Sequence, residues 1–192
     1  MYEMKRKSLV LVLVPLLIFC FTWAALAASH LPKKKQTTLG LYVTAKEAFA
    51  NWHIHPDKIH VIDVRTPEEY IFVGHAPMAV NIPIKFVKHA WDAGKKKPVM
   101  PLNPDFVKQV KEKFDPTDTL YMMCRSGGRS AVATNKLAEA GFKNVYNITD
   151  GFEGDKVKDS NSYFNGKRYV NGWRNAGSPW TYKLKAEQMY LP

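Results

Sequence analysis

Past residue 40 the apolar positions fall into short runs, each bracketed by cap and turn residues. The β-branched run KIHVIDV predicts a buried strand over 59–64. RTPEEY follows, with Thr66 as N-cap, Pro67 at the first helical position and Glu69 closing a capping box. Upstream, YVTAKEAFANW offers Thr44 and Glu47 as a second box opening a short helix. GHAPMAVNIPI, residues 74–84, is a connection punctuated by Gly and Pro with a short strand around 79–82. Residues 85–98 are expected to form a helix ending at Gly94. A clearer helix follows, with Asn103 as cap, Pro104 first, and Phe106, Val107, Val110 and Phe114 on one face. Residues 119–123 read as another buried strand ending at Cys124, 130–140 as a helix stopped by Gly141, and 144–148 as a further strand. The alternation predicts an α/β fold, a central parallel sheet of about five strands with helices on both faces. Such sheets hold ligands at the carboxyl ends of their strands, where Cys124 lies.

Composition narrows the picture without naming a function. With 192 residues, 46% hydrophobic and 23% charged, the chain has material for one domain with a core and is far from a disordered composition. The first 27 residues form a basic start, Lys5 to Lys7, followed by an apolar run ending in Ala25-Leu26-Ala27. That is an export leader cut after Ala27, or an uncleaved anchor, since the run approaches the length of a bilayer span. Phe19 before Cys20 disfavours a lipid anchor. Either way the domain is expected outside the cytoplasm: periplasmic or secreted, or held at the inner membrane facing outward, with no membrane contact beyond the leader. Residues 28–40 read as a polar tether, 41–185 as the domain and 186–192 as a C-terminal tail. Loss of three bases and one acid with the leader lowers the net charge from +11 to +9. The surplus favours small anionic ligands, while nucleic acid is excluded for want of a reading motif.

Cysteine usage is the sharpest clue. Without Cys20 the mature chain has one thiol, Cys124, so no internal disulfide forms, and an exported protein keeps an unpaired thiol for packing or for chemistry. Its setting, CRSGGRS, argues for chemistry. Gly127 and Gly128 allow the torsions that turn successive amides inward, the following helix aims its positive end at the sulfur, and Arg125 and Arg129 add charge. These features stabilise a thiolate, the nucleophilic form, and equally a persulfide. Four residues separate Cys124 from Arg129, one fewer than in the cysteine phosphatase loop, and Ser130 stands where that loop needs its arginine.

VIDVRTPEEY (61–70), GHAPMAVNIP (74–83), CRSGGRS (124–130) and NGWRNAGSPW (171–180), in that order, resemble the single-domain rhodaneses, the sulfurtransferase family. The resemblance implies that Cys124 accepts a sulfane sulfur from a small anionic donor such as thiosulfate. Cyanide, a thiol or a sulfur-accepting protein then removes it, with no metal or organic cofactor. Cys124 is then the nucleophile, and Arg125, Ser126, Gly127, Gly128, Arg129 and Ser130 the substrate cradle, with Arg125 or Arg129 orienting the donor. Asp63 and Arg65 support the site or form a surface ion pair, and His75 is a structural hydrogen-bonding residue rather than a base. A persulfide carrier or anion-binding interaction module with little free turnover is the alternative, and a small phosphatase or arsenate reductase is opposed by the tight loop.

Other features carry less. His53, His55 and His60 lack the acidic or cysteine ligands that complete a metal set, and Glu68 and Glu69 read as first-turn helix charges. Met78 stands where the family usually has glycine, so that turn is expected to differ in shape. The larger departure is a basic, aromatic insertion over about 155–172, read as a cover near the active site that Tyr163, Phe164 and Tyr169 could pack down, or else as a flexible excursion.

Overall fold

The computed structural model describes residues 31–192. The leader or anchor over 1–27, with Cys20, lies outside the described residues. No helix among the described residues is long and apolar enough to cross a membrane. The chain divides into two units, 1–36 and 37–192. The described part of the first holds a single 3-10 turn, Lys33–Lys35.

The second unit is built on a five-stranded parallel sheet, confirming the α/β class. Its strands are β1 (Tyr42–Val43), β2 (Ile59–Asp63), β3 (Val80–Asn81), β6 (Thr119–Met123) and β7 (Val145–Ile148), in the order β1-β7-β6-β2-β3. Helix α1 (Ala45–Ile54) and helix α2 (Pro67–Phe72) both open on complete capping boxes, Thr44 with Glu47 and Thr66 with Glu69. Alternate strand residues point to opposite faces. Ile62, Leu120 and Met122 join Phe106 and Val110 of α3 (Phe106–Lys111) and Leu137 of α4 (Gly128–Glu139). Val61, Tyr121 and Met123 join Ala45 and Ala48 of α1, Phe152 and Trp173 on the other side. Both faces of the sheet are thus covered, and the buried strands needed near-continuous apolar runs.

Three local expectations are corrected. Residues 85–98 are not helical: β4 (Trp91–Asp92) and β5 (Lys97–Pro98) form an antiparallel hairpin extended by Lys88 N–H to the Val99 carbonyl (2.9 Å). Asp92 Oδ1 accepts the Lys95 amide (3.0 Å), a side-chain turn that competes with helical hydrogen bonding. Helix α3 begins later, at Phe106 with Asp105 as N-cap; Asn103 Oδ1 accepts the Asp105 amide (3.0 Å) and its Nδ2 donates to the Pro83 carbonyl, so Asn103 closes the turn that precedes the helix. Helix α4 starts at Gly128 rather than Ser130, with Gly127 as a left-handed N-cap (φ 89°), so its first turn lies within the cysteine loop. At Met78 the turn closes through the Ala79 amide to the Ala76 carbonyl without a positive φ and so without need of glycine. Thr38 bonds Asn135 of α4, and Gln188 bonds the Pro77 carbonyl, so both the end of the expected tether and the expected tail lie against the domain.

Candidate active site

The site forms where β2, β6 and β7 end. Register puts Asp63 opposite Met123, and the Val64 amide bonds the Met123 carbonyl (2.8 Å), which fixes the residue before Cys124. The Gly127 amide donates to Cys124 Sγ (3.2 Å) and the Ser130 hydroxyl lies 3.3 Å from it. Two donors from the start of α4 therefore converge on the sulfur. The same Ser130 hydroxyl lies 2.6 Å from Asn147 Oδ1, and Asn147 Nδ2 donates to the Gly127 carbonyl (3.1 Å). One proton cannot serve both acceptors, so the hydroxyl turns to the sulfur when the sulfur is anionic and to Asn147 otherwise. Asn147, fully buried at the end of β7, was not singled out in the sequence; a polar residue on a strand of otherwise apolar character was the signal.

Cys124 is only 1% exposed, deeper than an open mouth implies. Its loop is held from outside by the turn after β7. The Phe152 amide bonds the Cys124 carbonyl (2.7 Å), and the amides of Glu153 and Gly154 bond the Arg125 carbonyl. Gly151 (φ +64°) makes this approach feasible, since a Cβ there would stand 2.4 Å from the Cys124 carbonyl oxygen. Asp150 anchors the same turn, accepting from the amides of Ala45 and Gly172.

The arginines divide by partner. Arg129 does not present its charge to a donor: its guanidinium is bound to Glu69 at 2.5 and 2.7 Å. Burial opposes the charge of both groups, but the fork outweighs it, holding Glu69 below the usual carboxylate range and Arg129 above its ordinary value. Glu69 is thus both a cap of α2 and the tie from α2 to the cysteine loop. Of the two arginines expected to orient a donor, Arg125 is the exposed one, with no ion pair among the described residues.

Asp63 and Arg65 are completely buried, not a surface pair. Arg65 Nε and Nη2 donate to the carboxylate (3.0 and 2.6 Å), Nη2 also reaches the Gly74 carbonyl, and the guanidinium lies 4.1 Å from the centre of the Phe152 ring. Desolvation works against this charge, yet Asp63 offsets it and Arg65 stays above its ordinary value. His75 is buried and stacks on Tyr70 (3.9 Å between ring centres). Its Nδ1 lies 3.2 Å from the Tyr70 carbonyl and its backbone pairs with Thr181. Its contacts are those of a packed turn residue.

Among the described residues no cluster of His, Cys, Asp and Glu has the arrangement of a metal site. His60 packs on the Phe114 ring and His53 on Phe49. The insertion is a closed excursion whose ends touch: a Cβ on Gly154 would collide with the Asn171 backbone. Tyr163, Phe164 and Tyr169 do not pack it onto the core. They meet one another edge-on or tilted and stay exposed, with Lys167 Nζ 4.0 Å from the Tyr163 ring centre.

Comparison with known proteins agrees with this geometry. A family model described as the rhodanese-like domain matches residues 45–158. The chain is 42% identical over 91 residues to thiosulfate sulfurtransferase 16, chloroplastic, of Arabidopsis thaliana, covering 47% of this chain and 68% of that protein. It is 30% identical over 122 residues to an uncharacterised protein of Rickettsia prowazekii, covering 64% of this chain and 82% of that protein. Among solved structures, Rv0390 from M. tuberculosis superposes with a TM-score of 0.57 at 26% identity, covering 73% of this chain and 96% of that one. The sheet order, the cysteine loop at the end of β6 and these matches together make the chain a member of the rhodanese-like domain family.

Proposed function

We propose that the protein is a sulfurtransferase that moves a sulfane sulfur from an anionic donor such as thiosulfate to a thiophilic acceptor through a persulfide on Cys124. The observation that carries this reading is the convergence of the Gly127 amide and the Ser130 hydroxyl on Cys124 Sγ. The amide is fixed in place and the hydroxyl has only to rotate its proton from Asn147 to the sulfur, so both stabilise negative sulfur with little reorganisation. The Cys124 thiolate attacks the outer sulfur of thiosulfate. A new S–S bond forms, the old one breaks, and its electron pair leaves with sulfite, so charge is conserved and Cys124 carries a persulfide anion. Cyanide then attacks the outer persulfide sulfur, thiocyanate departs and the thiolate returns. No proton changes hands, which leaves the packed His75 no part as a base. The basic, apolar leader supports placing the reaction outside the cytoplasm.

The test is turnover of thiosulfate and cyanide by the mature domain, with mass analysis of Cys124 for the gain of one sulfur atom. Turnover by wild type with ping-pong kinetics, and none by Cys124→Ser, is the expected result. The sulfur adduct without turnover would favour a persulfide carrier, and turnover retained by the serine variant would overturn the mechanism.

A further inference from the structure

The excursion is ordered from within. Its arms pair through the Val157 amide to the Lys167 carbonyl and the Gly166 amide to the Val157 carbonyl (2.9 Å each), with Lys156 opposite Arg168. The tip is turned by the Asn165 amide to the Ser162 carbonyl (2.9 Å), the Phe164 amide to the Ser162 hydroxyl (3.1 Å) and the Asn161 amide to the Asp159 carboxylate (2.9 Å). Hydrogen bonds, rather than apolar burial, thus hold a shape that shows its rings to solvent. Tyr163 is 83% exposed, Phe164 44%, Tyr169 55% and Val170 59%. The rings are contiguous, with centres 5.4 Å (Tyr163 to Phe164) and 4.8 Å (Phe164 to Tyr169) apart, and Lys167 Nζ lies 4.0 and 5.5 Å from the centres of the first two. Lys156 and Lys158 are exposed on the facing arm, and among the described residues none of the three lysines is in an ion pair.

We propose that this tip docks the protein on a bilayer containing anionic lipid: the rings enter the headgroup layer while Lys156, Lys158 and Lys167 meet its phosphates. The inference does not depend on sulfur transfer, and it adds a membrane contact beyond the leader, where sequence led us to expect none. Contiguous exposed rings mark a contact surface, because leaving them in water forgoes the burial that aromatic side chains otherwise gain. The company they keep selects a bilayer over a protein. Protein interfaces seat aromatic anchors in pockets and deplete lysine around them, whereas aromatic rings backed by lysine are what the lipid headgroup layer attracts. Tyr163 and Tyr169 suit that layer, with an apolar ring and a hydroxyl that stays wet. Against four cations in 155–171 stand two carboxylates, Asp155 and Asp159, so the excursion is net positive. Because the tip is already ordered, binding has little loop entropy to overcome. The leader over 1–27 is the reason to expect such a surface within reach, since an export segment takes the chain to a membrane.

The test is co-sedimentation of the mature chain with vesicles of phosphatidylcholine, alone or with phosphatidylglycerol added. The leader is left out because its apolar run binds lipid by itself, and residues 37–192 hold both covered faces of the sheet without it. Wild type is expected to bind the anionic vesicles at low salt and the neutral ones weakly, with release at about 1 M salt, where the screening length falls to about 3 Å. Tyr163→Ser/Phe164→Ser should weaken binding about tenfold, and Lys156→Gln, Lys158→Gln and Lys167→Gln roughly fivefold each. The lysines are exposed, so their variants keep the test standing even if the aromatic variant misfolds. Equal binding to neutral and anionic vesicles, binding to neither, or binding undiminished by either set of changes overturns the proposal. Concentration-dependent dimerisation that the aromatic variant loses, without vesicle binding, would assign the tip to a second copy of the chain and equally overturn it.

Discussion

Replacing Asp63 by asparagine tests how the floor of the site is held. The change keeps size and shape but removes the charge facing Arg65. The guanidinium has no exit: it is fully buried, roofed by Phe152, and held above the ordinary arginine value, so it stays protonated. In wild type the carboxylate accepts from the Arg65 backbone amide (3.0 Å), from Nε (3.0 Å) and from Nη2 (2.6 Å). An asparagine has one acceptor oxygen for these and turns its amide group toward Nη2, donor against donor. Breaking a buried pair by removing one partner costs roughly 3–5 kcal/mol, because a charge is left uncompensated. For a domain of this size each kcal/mol shifts the melting temperature by roughly 2–4 °C, so a fall of roughly 6–20 °C is expected. Urea unfolding followed by tryptophan fluorescence measures the loss directly, and Asp63→Leu/Arg65→Met, which removes both charges, should cost less than Asp63→Asn alone. A single variant that loses less than about 1 kcal/mol, or a double variant worse than the single, would refute the reasoning.

Two further predictions concern the ties around the loop. Glu69 is held below its ordinary range in the folded state despite burial, so its pairing with Arg129 adds stability that is present above the unfolded carboxylate value of about 4.3 and is lost as pH falls through the lower folded one; the stability gap between wild type and Glu69→Gln, measured by denaturant titration at several pH values, should be largest near neutrality and close below about pH 4. Gly151→Ala combines a positive φ with a collision against the Cys124 carbonyl, whereas Gly141→Ala (φ +98°) meets nothing within 4 Å; the second should cost about 1–3 kcal/mol for backbone strain alone, the first more, with loss of sulfur transfer, and equal costs would contradict the close approach.

What could be read from the chain was what is local. Both capping boxes span four residues, and the strands at 59–63 and 119–123 are runs whose burial on two faces leaves little room for polar residues. The two-residue edge strand Tyr42–Val43 carries no such run and exists by pairing with Asn147 and Ile148, about a hundred residues away. Residues 85–98 read as a helix from their helix formers, but the side-chain turn of Asp92 outweighs these and closes a hairpin at 91–98. In the site, Cys124 and the glycines stood out because their types are unusual in sequence. The places of Glu69 and Asn147 depend on partners 60 and 17 residues distant. Glu69 was legible as a cap, and nothing local marked it as the partner of Arg129.

That pairing changes how the positive charge near Cys124 is to be counted. By sequence, Arg125 and Arg129 both add charge at the sulfur, with Arg65 in support of the site. By structure, Arg65 is answered by Asp63 and Arg129 by Glu69, each within hydrogen-bond distance, so at the range of the sulfur each pair acts as a dipole rather than a net charge. Stabilisation of negative sulfur therefore falls to groups that touch it, the Gly127 amide and the Ser130 hydroxyl, and both are buried, where salt screens little.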